Sequence, residues 1–319
     1  MKYGLASGAL WGLDTVILGM ALLLIPFLGS PDAALASAAL HDSACAVILL
    51  IYMGFRGRLR DTLTAVRTKS GKAVMGAAVL GGPVGMTGYL IAINNIGPGY
   101  TAIISSFYPA VGTVLAVIFL KERMRPRQVG ALAVALGGVI AIGYSSATAD
   151  LPGNAWLGIL AALLCVVGWG SEAVILAWGM RDDKVDNETA LQIRQTTSAL
   201  VYLVFVVPVF GILGFTLRAS ITPAMGVLAL AALAGTVSYL FYYKAIDTVG
   251  ASRGMALNIS YSAWAVIFGL LLMGTIPGII QVIACIAILI GTVLAASTDW
   301  RELSFKKKTN VSTSHTPHD

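Results

Sequence analysis

Residues 89–122 and 242–275 are two versions of one segment. Offset by 153 positions and without a gap, Tyr89 falls on Tyr242, Ala92 on Ala245, Ile93 on Ile246, Gly97 on Gly250, Tyr108 on Tyr261 and Ala110 on Ala263. The register continues through Gln128 and Gln281, Val129 and Val282, and Gly138 and Gly291. Self-similarity at a fixed long period marks a chain built from two copies of one unit. What the unit is, and how its copies are turned, limits the folds open to the chain.

Hydropathy identifies the unit. With 57% apolar and 11% charged residues in 319, the chain has too few charges to cover a water-soluble surface of its size, so it belongs in a lipid bilayer. An apolar span of about 20 residues crosses the hydrocarbon as a helix, because no water is there to satisfy a free backbone. Ten such spans are predicted, at 3–26, 33–55, 72–94, 99–120, 127–146, 154–179, 189–211, 222–244, 252–274 and 278–298. The first is longer than a signal-peptide apolar region and contains Asp14, so it is kept as a helix. With the N-terminus inside, 19 of the 21 Lys and Arg residues fall in cytoplasmic segments; only Arg218 lies in an outer loop and only Arg194 within a span. That separation supports the count of ten and places both termini in the cytoplasm. Five spans per copy is an odd number, so the second copy enters the membrane inverted. The expected fold class is an all-α integral membrane protein of ten transmembrane helices in two inverted five-helix repeats, 1–146 and 154–298, followed by a basic cytoplasmic tail at 299–319. Such a repeat places a solute site near the midplane between halves that open alternately to either side, which points to secondary transport. The net charge of +6 sits in short loop clusters without interleaved aromatics, which argues against nucleic acid. Cys45, Cys165 and Cys285 lie inside apolar runs and read as packing residues.

The first helix of each unit also repeats, at an offset of 158: Trp11-Gly12-Leu13-Asp14 echoes Trp169-Gly170-Ser171-Glu172. Each unit thus aims an indole and a carboxylate from one helix face. Intramembrane charges are expensive and normally meet a partner or a wet cavity. Asp14 and Glu172 are therefore expected to bind a cationic group or a proton, with Arg194 at the right depth to neutralise Glu172. His41, the only histidine outside the tail, is expected at the same cavity as a relay or hydrogen-bond donor. In the fourth span Thr101, Ser105, Tyr108 and Gly112 share a helical face, matched in the ninth by Gly254, Asn258, Tyr261 and Ala265. Ser105, Tyr108, Asn258 and Tyr261 would offer hydrogen bonds there. Trp11, Trp169, Tyr89, Tyr108, Tyr261 and Trp264 would stack on a planar ligand, whereas Trp156 and Trp300 lie at span ends and suit the interface belt. Gly82 and Pro83, Pro109, and Gly235 at the position matching Gly82 are expected hinges. No phosphate loop, zinc signature or nucleophile elbow is present, so neither an enzyme nor a metal or other cofactor is expected.

The ten spans, the tryptophan early in each unit, and the pattern of Tyr89, Ala92-Ile93, Ala102, Pro109 and Leu120 to Glu122 resemble the drug/metabolite transporter superfamily and its EamA-type repeat over residues 1–298. Within it the chain is similar to bacterial aromatic amino acid exporters of the YddG type. Ser262 in place of the proline and Thr275 in place of the glutamate depart from that pattern in the second copy. The resemblance implies a multi-pass exporter of the bacterial inner membrane, carrying aromatic amino acids and related amphipathic metabolites by alternating access. Cationic drugs, sugars or nucleotide sugars are the alternative cargo, and a channel is a more distant one. The implied partners are the small-molecule solute, the lipid bilayer and, if transport is coupled, protons.

Overall fold

The computed structural model describes residues 1–147 and 151–300. Most of the tail expected at 299–319 lies outside the described residues. Within them, nine helical runs are long and apolar enough to cross a bilayer, and Tyr108–Leu120 adds a shorter apolar one. The run Lys69–Ser105 is two spans joined at Gly97, whose φ of 77° and ψ of 163° take the chain out of the helix. With that division the ten helices are α1 (Lys2–Leu22), α2 (Ala33–Phe55), α3 (69–96), α4 (98–120), α5 (Pro126–Ser145), α6 (Ala155–Gly179), α7 (Asn187–Val209), α8 (Pro223–Val249), α9 (Ala251–Met273) and α10 (Ile279–Ala296). The chain is an all-α membrane protein of two inverted five-helix repeats. α1 stops at Leu22, short of the expected residue 26, and turns follow it.

The copies share their irregularities as well as their helices. Gly250, at offset 153 from Gly97, takes φ 90° and ψ 164°. This region of φ/ψ space is open essentially to glycine alone, which explains why both copies keep one there. α4 is interrupted after Ser105 and restarts at Tyr108, and α9 is interrupted after Asn258 and restarts at Tyr261. Pro109 removes an N–H at the first break, but the second forms with Ser262 in that position, so the interruption does not depend on the proline. Most of the major helix pairings join one unit to the other: α1 packs on α8 and α9 as α6 packs on α3 and α4, while α2 meets α7 and α5 meets α10. The core is thus shared between copies.

The Trp-Gly-x-acid motif accounts for one matched pair of these contacts. A Cβ on Gly12 would stand 2.9 Å from the Tyr261 carbonyl oxygen, and one on Gly170 would stand 2.9 Å from that of Tyr108. Glycine in α1 and α6 lets each helix press its backbone against the break in α9 or α4. Trp and the acid, one position before Gly and two after, then turn toward the space between units.

Candidate functional site

That space is a cavity of about 430 Å³. Its lining runs from Leu22 at the end of α1 and Ala34 at the start of α2, past Ile93 in α3, to Arg194, Glu172 and Tyr242 at its floor. Arg194 is eight residues into α7, so about 10 Å of helix, at 1.5 Å per residue, separates the floor from the end of the bundle that carries the basic loops. The cavity opens toward the other end.

A chain of charges crosses the floor. His41 Nε2 is hydrogen-bonded to Asp14 Oδ1 at 3.0 Å, and His41 Nδ1 lies 3.7 Å from Asp42 Oδ1. Asp42 Oδ2 accepts from the Ser198 hydroxyl and lies 3.5 Å from Arg194 Nη1. Arg194 Nε donates to Glu172 Oε1 at 2.8 Å, Nη1 donates to Gln195 Oε1 at 2.8 Å, and the guanidinium lies 4.8 Å from the Tyr239 ring centroid. All five charged groups line the cavity. Asp14 is partnered by His41. Arg194 does neutralise Glu172, and shares itself with Asp42. The pairs are copies of each other: Asp14 and Glu172 are related by the offset of 158, His41 and Arg194 by 153, so each unit sets an acid on its first helix against a base on its second. With the carboxylates ionised, three negative charges face Arg194 and His41, and the floor stays net negative whether or not His41 carries a proton.

Aromatic rings form the walls. Trp169 stacks on Tyr89 at 5.5 Å, meets Tyr108 edge-on at 5.7 Å, and donates from Nε1 to the Gly81 carbonyl at 3.0 Å. That carbonyl belongs to a π-helical turn, Leu80–Val84, where Pro83 interrupts the regular ladder. Trp11 meets Tyr239 edge-on at 4.8 Å. Below them the Tyr108 hydroxyl donates to Asn258 Oδ1 at 3.1 Å, and Asn258 Nδ2 donates to Ser7 Oγ at 2.9 Å.

Of the residues predicted for the site, Trp11, Asp14, His41, Tyr89, Tyr108, Trp169, Glu172, Asn258 and Tyr261 line the cavity. Ser105 and Trp264 do not. Ser105 is 1% exposed and its hydroxyl turns back to the Ala102 carbonyl, although its repeat equivalent Asn258 reaches the cavity beside Tyr261. Trp264 packs against Gly12 and stacks on Phe268 at 6.2 Å. Among the expected hinges, Gly82 and Pro83 lie in the π-helical turn and Pro109 at the α4 break, whereas α8 runs unbroken through Gly235. Gly235 is small for another reason: a Cβ there would stand 2.9 Å from Asp14 Oδ2. Sequence reasoning missed Tyr239, Tyr242 and Asp42 as cavity residues. The repeat carried the signal, since at offset 153 Tyr242 answers Tyr89 and Tyr239 answers Met86, and all four line the cavity.

The signature of the EamA-like transporter family matches the chain twice, at residues 2–144 and 156–297. Protein LicB of Haemophilus influenzae is 30% identical over 198 residues, which are 61% of this chain and 65% of that protein, so the match spans less than two thirds of the relative's length. A protein crystal structure superposes with a TM-score of 0.65 at 19% identity, covering 92% of this chain and 95% of the other, which is a likeness of fold.

Proposed function

The chain belongs to the EamA-like transporter family, and from that premise we propose that it exports a small amphipathic organic cation across the bacterial inner membrane by alternating access. It is a membrane transporter, not an enzyme. Residues 1–146 and 154–298 are the two moving units, and the basic face is cytoplasmic, as the distribution of Lys and Arg supports. One observation carries the choice of cargo: three carboxylates, Asp14, Asp42 and Glu172, against Arg194 and His41 at the floor, under walls of Trp11, Tyr89, Tyr108, Trp169, Tyr239 and Tyr242. Aromatic faces attract an ammonium group by about 0.5–2 kcal/mol each, more as water is excluded, and need no N–H donor from it. Asp14, Asp42 and Glu172 supply the counter-charge.

Aromatic amino acids are the second reading, favoured by the stacked Tyr89 and Trp169 rings and by Arg194 as a partner for a carboxylate. It ranks second because Arg194 is already held by Glu172 and Asp42. Uptake into proteoliposomes tests both, with labelled choline as a compact quaternary ammonium and labelled phenylalanine as the amino acid. Saturable choline flux that phenylalanine competes for weakly supports the first reading. Saturable phenylalanine flux indifferent to choline overturns it in favour of the second. Repeating the assay with and without a pH gradient separates proton antiport from facilitation.

A further inference from the structure

The end of the bundle that carries the basic loops is held shut by polar contacts between the units. Arg58, just past α2, donates to Asp186 Oδ2 at 2.6 Å and to Glu188 Oε2, both at the start of α7. Tyr52 adds a hydrogen bond to Glu188 Oε1 at 2.8 Å. Glu122, just past α4, accepts from the backbone N–H of Ala251 at 2.7 Å and of Ser252 at 3.0 Å where α9 begins. Beneath these contacts the passage is packed solid. Leu18, Ala38, Leu90 and Ile93 line the open mouth. Their repeat equivalents Leu176, Leu191, Tyr243 and Ile246 are 0–2% exposed.

Among the described residues, the positions equivalent to these carry no such fastening at the open mouth. At offset 153 Gly211 stands for Arg58 and Leu35 for Glu188, so no ion pair can form. Thr275 stands for Glu122 and Pro98 for Ala251, so both the carboxylate and one of the two N–H groups it would hold are missing. Among the described residues, every ion pair outside the cavity lies on the basic face. Scaffolds related by inverted symmetry close either mouth with equivalent helices, so unequal fastening biases which mouth is shut.

We propose that Arg58 on Asp186 and Glu188, together with Glu122 on the N–H groups of Ala251 and Ser252, forms the gate of the basic face, and that its absence from the opposite mouth sets the resting orientation. Both attachments must break for the solute to reach the basic side. The proposal rests on the alternating-access reading above, but its labelling test requires no substrate.

The full chain in proteoliposomes carries a single reporter, either Ala190→Cys, the fully buried repeat equivalent of the cavity residue Ser37, or Ala38→Cys on the open mouth, and is treated with a membrane-impermeant maleimide from each side. The unmodified chain gives the baseline. Ala38→Cys should label from the opposite face and Ala190→Cys from neither. Adding Arg58→Gln with Glu122→Gln should raise Ala190→Cys labelling from the basic face at least about tenfold and slow labelling of Ala38→Cys. Unchanged Ala190→Cys labelling in a variant that keeps its fold overturns the gate. Should the double variant not fold, Arg58→Cys with Glu188→Cys, joined by a short bifunctional maleimide, should stop transport; transport that persists when the pair is joined overturns the gate equally. Failure of Ala38→Cys to label from the opposite face in the otherwise native chain counts against the alternating-access reading instead.

Discussion

Replacing Arg194 by methionine tests the charge chain at its most connected point. The guanidinium is 3% exposed and is the ion-pair partner of two carboxylates, Glu172 at 2.8 Å and Asp42 at 3.5 Å. Arg194→Met leaves both facing a low-dielectric floor, with only His41 and the Ser198 hydroxyl beside Asp42. Breaking a buried pair by removing one partner costs about 3–5 kcal/mol, because the remaining charge is uncompensated. Glu172→Gln should be milder, since Arg194 keeps Asp42. The double variant Arg194→Met with Glu172→Leu should recover much of the single loss by removing one stranded acid. The assay is thermal unfolding in detergent, read by a thiol-reactive dye, because Cys45, Cys165 and Cys285 are all buried and free and react only as the fold opens. Arg194→Met should lower Tm by on the order of 6–10 °C, taking about 2 °C per kcal/mol for a chain of this size, with the double variant between it and the native protein. A shift under about 2 °C for Arg194→Met, or a double variant no more stable than it, would refute the assignment of Arg194 as the neutralising group.

Three further outcomes follow from local geometry. Adjacent glycines in α5 should respond oppositely: Gly137→Ala meets nothing within 4 Å and should stabilise by about 0.5–1 kcal/mol through helix propensity. Gly138→Ala would place a methyl 2.7 Å from Ile288 and 2.9 Å from the Ala284 carbonyl, and should destabilise by about 1–3 kcal/mol in the same dye assay. Trp169→Phe keeps a ring but loses the bond to the Gly81 carbonyl and the better cation face, so KM for the organic cation should rise about two- to fivefold and by more for Trp169→Ala, read from initial uptake rates. At the clasp, burial pulls Asp186 upward, but the Thr189 N–H and Arg58 outweigh it and hold its carboxyl below the ordinary value of 3.8. Its contribution to stability is therefore present above pH 3.8 and lost as pH falls further, so melting scans should show a steeper acid loss for the native chain than for Asp186→Asn.

The spans and their pairing into inverted units were legible because bilayer thickness converts directly into run length and because the repeat keeps its register over many residues. The Trp-Gly-x-acid motif was legible as an echo, though not the reason for its glycine, which depends on the approach of a helix distant in the chain, at Tyr108 for Gly170 and at Tyr261 for Gly12. Two kinds of information were hidden. Helical-wheel reasoning says which residues share a face but not what that face meets: across matching breaks Asn258 joins Tyr261 at the cavity, whereas Ser105 bonds back to the Ala102 carbonyl. Partnerships between helices also leave no local trace: Asp14 and His41 were both singled out, yet nothing within either span says that they meet. The offset of 153 that pairs His41 with Arg194 would have suggested it, given that Arg194 was already set against Glu172.

The departures of the second copy from the first gain meaning at the gate, and they can be reversed. If the missing carboxylate at Thr275 and the missing N–H at Pro98 are what leave the opposite mouth unfastened, then Thr275→Glu with Pro98→Ala should install there the contact that Glu122 makes with Ala251 and Ser252. Gly97 already supplies the backbone geometry, with φ and ψ within about 15° of those at Gly250. Each hydrogen bond from a backbone N–H to a carboxylate contributes about 1.5–3 kcal/mol net, less where water reaches it, so two together would shift the balance between orientations by roughly tenfold or more. The measure is labelling of Ala190→Cys from the basic face, which should rise while that of Ala38→Cys falls. Thr275→Glu alone finds only the Gly99 N–H and should have a smaller effect. Equal effects of the single and double variants would mean that the carboxylate acts by charge alone, and that the paired N–H groups at the start of α9 are not what Glu122 holds the gate by.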